Sequence, residues 1–92
     1  MVSSLWEDYS FVIRGKQRRK VIEAFDGPKI PTEIKQITHM NLTNVSRVLV
    51  SFEKKGLAKC LTPKLKVGRV YILTKIGEQV RKKIVRKTLR EK

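Results

Sequence analysis

Residues 31–74, PTEIKQITHMNLTNVSRVLVSFEKKGLAKCLTPKLKVGRVYILT, decide the fold of this chain. Within them, residues 41–56 (NLTNVSRVLVSFEKKG) place Val45, Val48, Leu49 and Phe52 at i, i+3, i+4 and i+7, the apolar stripe of one α-helix. At roughly 100° per residue, Thr43, Arg47, Val50, Ser51 and Lys54 point away from that stripe, with Asn44 and Ser46 on its flanks. Short polar groups, a guanidinium and one apolar side chain suit hydrogen bonding to base edges and methyl contact with thymine. A face that only has to be soluble is more usually filled with Glu and Lys.

Working outward, Pro31 suits the first position of a preceding helix over residues 31–40, with Ile34 and Ile37 buried. His39, Met40 and Asn41 form the break, and Asn41 is a good N-cap for the helix that follows. Gly56 stands where a left-handed residue should end that helix. Residues 57–61 and 69–74 read as two strands, and residues 62–68 as the turn between them. Two helices with a short break, the second polar outward, followed by a hairpin, form a helix-turn-helix with a wing. The expected class is therefore α+β, mainly α: a winged helix-turn-helix with a two-stranded β-hairpin wing and a C-terminal helix. The competing reading is an ordinary helical hairpin in a small α protein.

Toward the N-terminus, Ser4 and Glu7 make a capping-box signature, and Leu5, Tyr9, Val12 and Ile13 continue at helical spacing, giving a helix over residues 4–14. Phe11 to Ile13 would also suit a strand. Val21, Ile22 and Phe25 define a second helix over residues 16–25, whose other face is KQRRK. At the other end, Thr74 caps a last helix reaching residue 89, on which Ile76, Val80 and Ile84 recur every fourth position. Gly77 in its first turn costs about 1 kcal/mol against Ala, which a close approach to a neighbouring element would explain. Trp6, Tyr9, Phe25, Phe52 and Tyr71 occupy apolar periodic positions and read as core.

Ninety-two residues with 40% apolar content suit one small domain over residues 1–92, with disorder of the last few residues in the absence of a partner as an alternative for the tail. Lys and Arg number 22 against 8 Asp and Glu, a net charge of +14. Such an excess strains the compact state by self-repulsion unless a polyanion shares it, so nucleic acid leads the partner classes. No apolar run approaches the roughly 18 residues of a spanning helix, and the start of the chain is acidic where a signal peptide is basic. A cytoplasmic, nucleoid-associated location and no membrane partner follow as expectations. Cys60 is alone and His39 is the one histidine, so neither an internal disulfide nor a Cys/His zinc site is available. Cys60 reads as a small buried hydrophobe, with a thiol activated by Lys59 as the lesser alternative. No nucleophile–base constellation, paired carboxylates or phosphate-cradling glycine motif occurs, so no catalysis, cofactor or small-molecule ligand is expected.

The expected DNA contacts fall into three groups. Thr43, Asn44, Ser46, Arg47, Val50, Ser51 and Lys54 belong to the recognition helix, where Arg47 is the best candidate for guanine and otherwise a phosphate contact or a partner of Glu. Lys64, Lys66 and Arg69 bracket a glycine-containing wing tip that would lie on the backbone or in the minor groove, the competing role being to keep a sheet edge soluble. Lys16, Arg18, Arg19 and Lys35 are candidates for the phosphate backbone, as are the basic residues of the last helix, Lys75, Arg81, Lys82, Lys83, Arg86, Lys87 and Arg90.

The run NVSRVL before EKKGL, together with GRVYILT and the following KIGEQV, resembles the archaeal winged helix-turn-helix transcriptional regulators, broadly similar to the MarR and ArsR groups. The resemblance spans about residues 5–82. It implies that Thr43, Asn44, Ser46 and Arg47 lie on the recognition helix, that residues 64–69 form the wing, and that Gly77 belongs to the packed start of the last helix. Ile30 stands where such sequences often have a Ser or Thr cap, so fraying of the third helix is expected. The long terminal helices of the larger regulators are absent, which argues against a ligand pocket and a MarR-style helical dimer. The expected function is sequence-specific binding of double-stranded DNA in transcriptional regulation. The alternatives are a nonspecific architectural DNA-coating protein and a protein- or RNA-binding winged helix. Homodimerisation suits a reader of two half-sites, with the pairing face left open.

Overall fold

The structure, a computed structural model, describes the backbone of residues 2–90 except 67, and the side chains of residues 5–86 except 67. Five helices and one hairpin follow in the order α1 (Val2–Ile13), α2 (Lys16–Glu23), α3 (Pro31–Thr38), α4 (Leu42–Lys54), β1 (Ala58–Cys60), β2 (Tyr71–Leu73) and α5 (Lys75–Arg90). α1 begins ahead of Ser4, so Ser4 is not its cap, and the expected Ser4 hydroxyl contact lies outside the described side chains. So do the side chains of Lys87 and Arg90 and the last two residues.

The stripe of α4 forms the centre of the core: Val45, Val48, Leu49 and Phe52 are all buried, together with Ile22, Ile34, Leu57 and Ile84 from four other segments. Both ends of α4 carry the expected signals. Asn41 Oδ1 accepts from the Asn44 amide at 2.9 Å. At the other end the amide of Leu57 donates to Phe52 O (2.8 Å) and that of Gly56 to Glu53 O (3.1 Å). These are the two bonds of a Schellman ending, with Gly56 at φ 74° and the buried Phe52 and Leu57 supplying its apolar contact.

α5 starts on that ending. Thr74 donates its amide to Leu57 O (2.9 Å) and its hydroxyl to Gly56 O (2.6 Å), and its Oγ1 accepts from the Gly77 amide (3.2 Å) as the N-cap. A Cβ on Gly77 would run into the carbonyl oxygen of Leu57, so the expected close approach is real. It also corrects the expectation for Ile76. The inward row of α5 is Gly77, Val80 and Ile84, and Ile76 is left 42% exposed at the rim.

Two other expected core residues lie outside. Ile37 is 53% exposed, because α3 ends at Thr38 and the left-handed His39 (φ 61°) brings Met40 back into the core instead. Trp6 is 56% exposed, since the buried row of α1 runs through Asp8 and Val12 and leaves Trp6 about 140° away. Its ring meets Tyr9 edge-on at 6.0 Å, and the Lys83 ammonium lies 4.8 Å from its centroid. α3 is not left uncapped at Ile30. The Glu33 carboxylate accepts from the Ile30 amide at 3.0 Å, half of a capping box without the hydroxyl.

β1 and β2 pair antiparallel with Ala58 opposite Leu73, Lys59 opposite Ile72 and Cys60 opposite Tyr71, shorter than the strands expected. An unanticipated third edge joins them. Lys29 and Tyr71 exchange both backbone hydrogen bonds, at 2.9 and 2.8 Å, tying the segment before α3 to the base of the hairpin. That bridge fixes the wing relative to the two helices it flanks.

Candidate nucleic-acid interface

α4 is held by its buried stripe, and its opposite face is therefore open. Thr43, Ser46, Arg47 and Val50 are exposed there, as expected, and Leu42 joins them, lining one shallow depression. Leu42 is not singled out by periodicity, because at i−3 from Val45 it reads as a core position. It lies in the first turn of α4 and is 44% exposed.

A second groove runs between α4 and the wing. Ser46 and Val50 form one wall with Leu42 and Leu49, while Lys66, Gly68, Arg69 and Tyr71 form the other, and Pro31 and Thr32 at the start of α3 close one end. A third groove lies on the far side of α4, where Gly15, Lys16, Gln17 and Arg18 at the start of α2 face Arg47, Val48 and Ser51. Arg47 thus stands on the ridge between the open face of α4 and the start of α2. No acidic side chain lines any of the three grooves, among the described residues.

The candidates differ in how far they are already engaged. Ser51 is half-buried and donates its hydroxyl to Val48 O at 2.7 Å, which leaves it as an acceptor only. Asn44 is half-buried in the first turn. Arg69 folds back along the wing, its Nε donating to Leu65 O and its Nη2 to Pro63 O at 3.4 Å, so it orders the loop that carries Lys64 and Lys66. The amide of Val70 is held by Thr62 Oγ1 at 3.0 Å in the same loop. Lys54, Lys64, Lys66, Lys16 and Lys35 are exposed, and none of the hydrogen bonds or ion pairs among the described residues involves their side chains or that of Arg47.

Several other cations are structural. The Arg18 guanidinium lies 4.2 Å over the ring of Phe11 and against Gly15, with its Nε buried. Lys55 stands 5.0 Å from the same ring, so two cations from α2 and the end of α4 pin Phe11 of α1. Arg19 pairs with Glu23 at 3.3 Å. Arg81 reaches from α5 to the end of α2, where Nε donates to Ile22 O and Nη2 to Glu23 O, both at 3.2 Å. A cation on the last carbonyls of a helix is favoured by the helix dipole. Arg18 and Arg81, expected as candidates for the phosphate backbone, are thus engaged within the fold, where each ties one helix to another.

The architecture is a winged helix-turn-helix, with α3 and α4 as the helix pair and the β1–β2 hairpin as the wing. No family model matches the sequence, and no curated protein matches it. Solved structures do match. A MarR family transcription regulator superposes with a TM-score of 0.76 at 17% identity, covering 97% of this chain and 61% of that one. The reduced form of MarR from E. coli gives 0.71 at 23% identity, covering 97% and 70%. The homodimeric winged helix-turn-helix DNA-binding domain of Mb0332 from Mycobacterium bovis, a possible ArsR-family transcriptional regulator, gives 0.65 at 18%, covering 96% and 79%. The chain has the fold of the MarR-family and ArsR-family winged helix regulators, as its resemblance to those groups implied, and spans less than two thirds of the first of these neighbours. None of its described helices is long and apolar enough to cross a membrane.

Proposed function

We propose that this protein binds double-stranded DNA in a sequence-specific way and regulates transcription by occupying its site. α4 enters the major groove, with Thr43, Asn44, Ser46, Arg47, Val50, Ser51 and Lys54 on the face that meets DNA. Lys64 and Lys66 place the wing on the backbone or in the minor groove, Arg69 orders it, and Lys16 and Lys35 contact flanking phosphates. The observation that carries this reading is the open face of α4. It is a helix buried on one side and lined on the other by short polar groups, an unengaged guanidinium and aliphatic side chains, between two basic flanks with no acid lining these three grooves among the described residues. A net charge of +14 supplies long-range attraction to a polyanion.

The Mycobacterium bovis domain is named as homodimeric and DNA-binding, which supports the same assembly here. Two copies would present two α4 helices to two half-sites, in the cytoplasm and at the nucleoid. Selection of bound sequences from a random duplex pool at near-physiological salt tests the reading. Enrichment of a defined motif is the expected result. Binding without enrichment would replace it with a nonspecific DNA-coating role.

A further inference from the structure

Leu42 and Val50 are exposed aliphatic side chains on the open face of α4 that carries Thr43, Ser46 and Arg47, 44% and 47% exposed respectively. Both line the depression on α4 with Ser46 and Arg47, and both line the groove against Lys66 and Arg69 of the wing. Eight residues apart, they lie about 80° apart around the helix and about 12 Å apart along it, with Ser46 midway. Two branched aliphatic groups on one open face, rimmed by cations, can be taken out of water by an occupant of that face that offers them an apolar group.

The rim decides what covers it. Arg47, Lys66 and Arg69 border the two aliphatic groups and, among the described residues, no acidic side chain lines either groove, which suits a polyanion as the occupant. On the major-groove edges of duplex DNA the apolar group on offer is the 5-methyl of thymine. We propose that Leu42 and Val50 read thymine methyl groups at two separate base pairs, making the preferred site thymine-bearing at both. This rests on the DNA-binding reading above and adds to it a recognised chemical group and a residue, Leu42, outside the expected set. The roughly 12 Å between the two side chains exceeds the about 3.4 Å rise of a base pair several-fold, so one thymine cannot satisfy both.

The test replaces each thymine of the selected duplex, one at a time, with deoxyuridine, which deletes the methyl and leaves every hydrogen-bonding group and phosphate in place. Loss of about fourfold in affinity at each of two positions is expected, the equilibrium value of one buried methyl. Val50→Ala should abolish the loss at one position and Leu42→Ala at the other, while both variants keep the melting temperature of the parent because neither residue is in the core. A duplex fully substituted with deoxyuridine that is bound as tightly as the thymine duplex, and still preferred over random DNA, would overturn methyl reading and leave sequence-specific binding standing. Failure to select any motif would remove both. If Leu42→Ala and Val50→Ala instead dissociate a dimer in sedimentation without changing deoxyuridine discrimination, the patch is a protein interface and the proposal is wrong.

Discussion

The two sides of this molecule use the same residue types for opposite purposes. On the side formed by α1, α2 and α5, several cations are consumed internally: Arg18 and Lys55 on Phe11, Arg19 on Glu23, Lys83 beside Trp6, and Arg81 on the carbonyls that end α2, with Lys16 an exception. On the side formed by α4 and the wing, Arg47, Lys54, Lys64 and Lys66 stand out from the surface without such partners among the described residues. Net charge alone does not distinguish these groups. Engagement does, and it separates residues whose loss should weaken the fold from those whose loss should weaken binding.

The largest effect tests the packing that both sides depend on. Gly77→Ala should destabilise the protein by roughly 3 kcal/mol, the upper part of the overpacking range, because the new Cβ meets the Leu57 carbonyl and not a movable side-chain end. In an unconstrained helix the same change would stabilise by about 1 kcal/mol, so the sign is diagnostic. Urea unfolding would measure it, and a gain in stability would mean that α5 is free to move away from Leu57.

Next comes a pair of arginines chosen from opposite sides. Arg47→Ala should leave the unfolding midpoint unchanged and weaken the selected duplex by about tenfold, within the roughly 1–3 kcal/mol that a bidentate base contact supplies. Arg81→Ala should do the reverse, costing about 1 kcal/mol of stability through the lost helix-end contacts while leaving affinity at low temperature intact. If Arg47→Ala weakens random and selected DNA equally, Arg47 binds phosphate from its ridge beside Lys16. Equal effects of both variants on affinity would erase the distinction between the two sides.

Lys66→Ala gives a smaller change with a different signature. All sequences should weaken by a similar factor, and the slope of log affinity against log salt should fall by about 0.9, one phosphate contact. A change confined to the preferred sequence would move Lys66 from the backbone to the bases.

Which of these features the sequence could show follows from how local each one is. The α4 stripe, the Asn41 cap, the Gly56 ending and the Thr74 cap each depend on residues within a turn or two, and all are present as read. The open face of α4 is the complement of that stripe, so its polar residues could be named in advance. Arg81 meets carbonyls some sixty positions earlier in the chain, and Arg18 finds Phe11 across the α1–α2 corner, so a run of basic residues such as KQRRK, or the basic row of α5, fits a free cation and an engaged one equally well. Ile37 and Trp6 lie outside the core for a related reason. Periodicity states which residues share a face, but whether that face meets a neighbour depends on how short α3 is and on which row of α1 turns inward. Leu42 was hidden by the same rule, because a core-like spacing at a helix start does not reveal that the start projects beyond its neighbour.

The smallest expected effect concerns Asp8, a buried acid on the side that holds the fold. Burial raises its pKa above the ordinary aspartate value, the nearby Lys55 ammonium works against that shift, and Glu7 adds to it. A raised carboxyl pKa means that the folded state holds the proton more tightly than the unfolded chain. Its contribution is thus fully present below the unfolded pKa and is lost as pH rises through the folded one. At neutral pH the ionised Asp8 is therefore a net cost. Asp8→Asn should raise the melting temperature at pH 7, measured at about 0.15 M salt to screen the added net charge, and the difference should close as the pH falls below the aspartate range. A lower melting temperature at pH 7 would show that attraction to Lys55 outweighs burial. In either case DNA affinity should stay constant, because Asp8 and the Lys55 ammonium over Phe11 do not line the open face of α4.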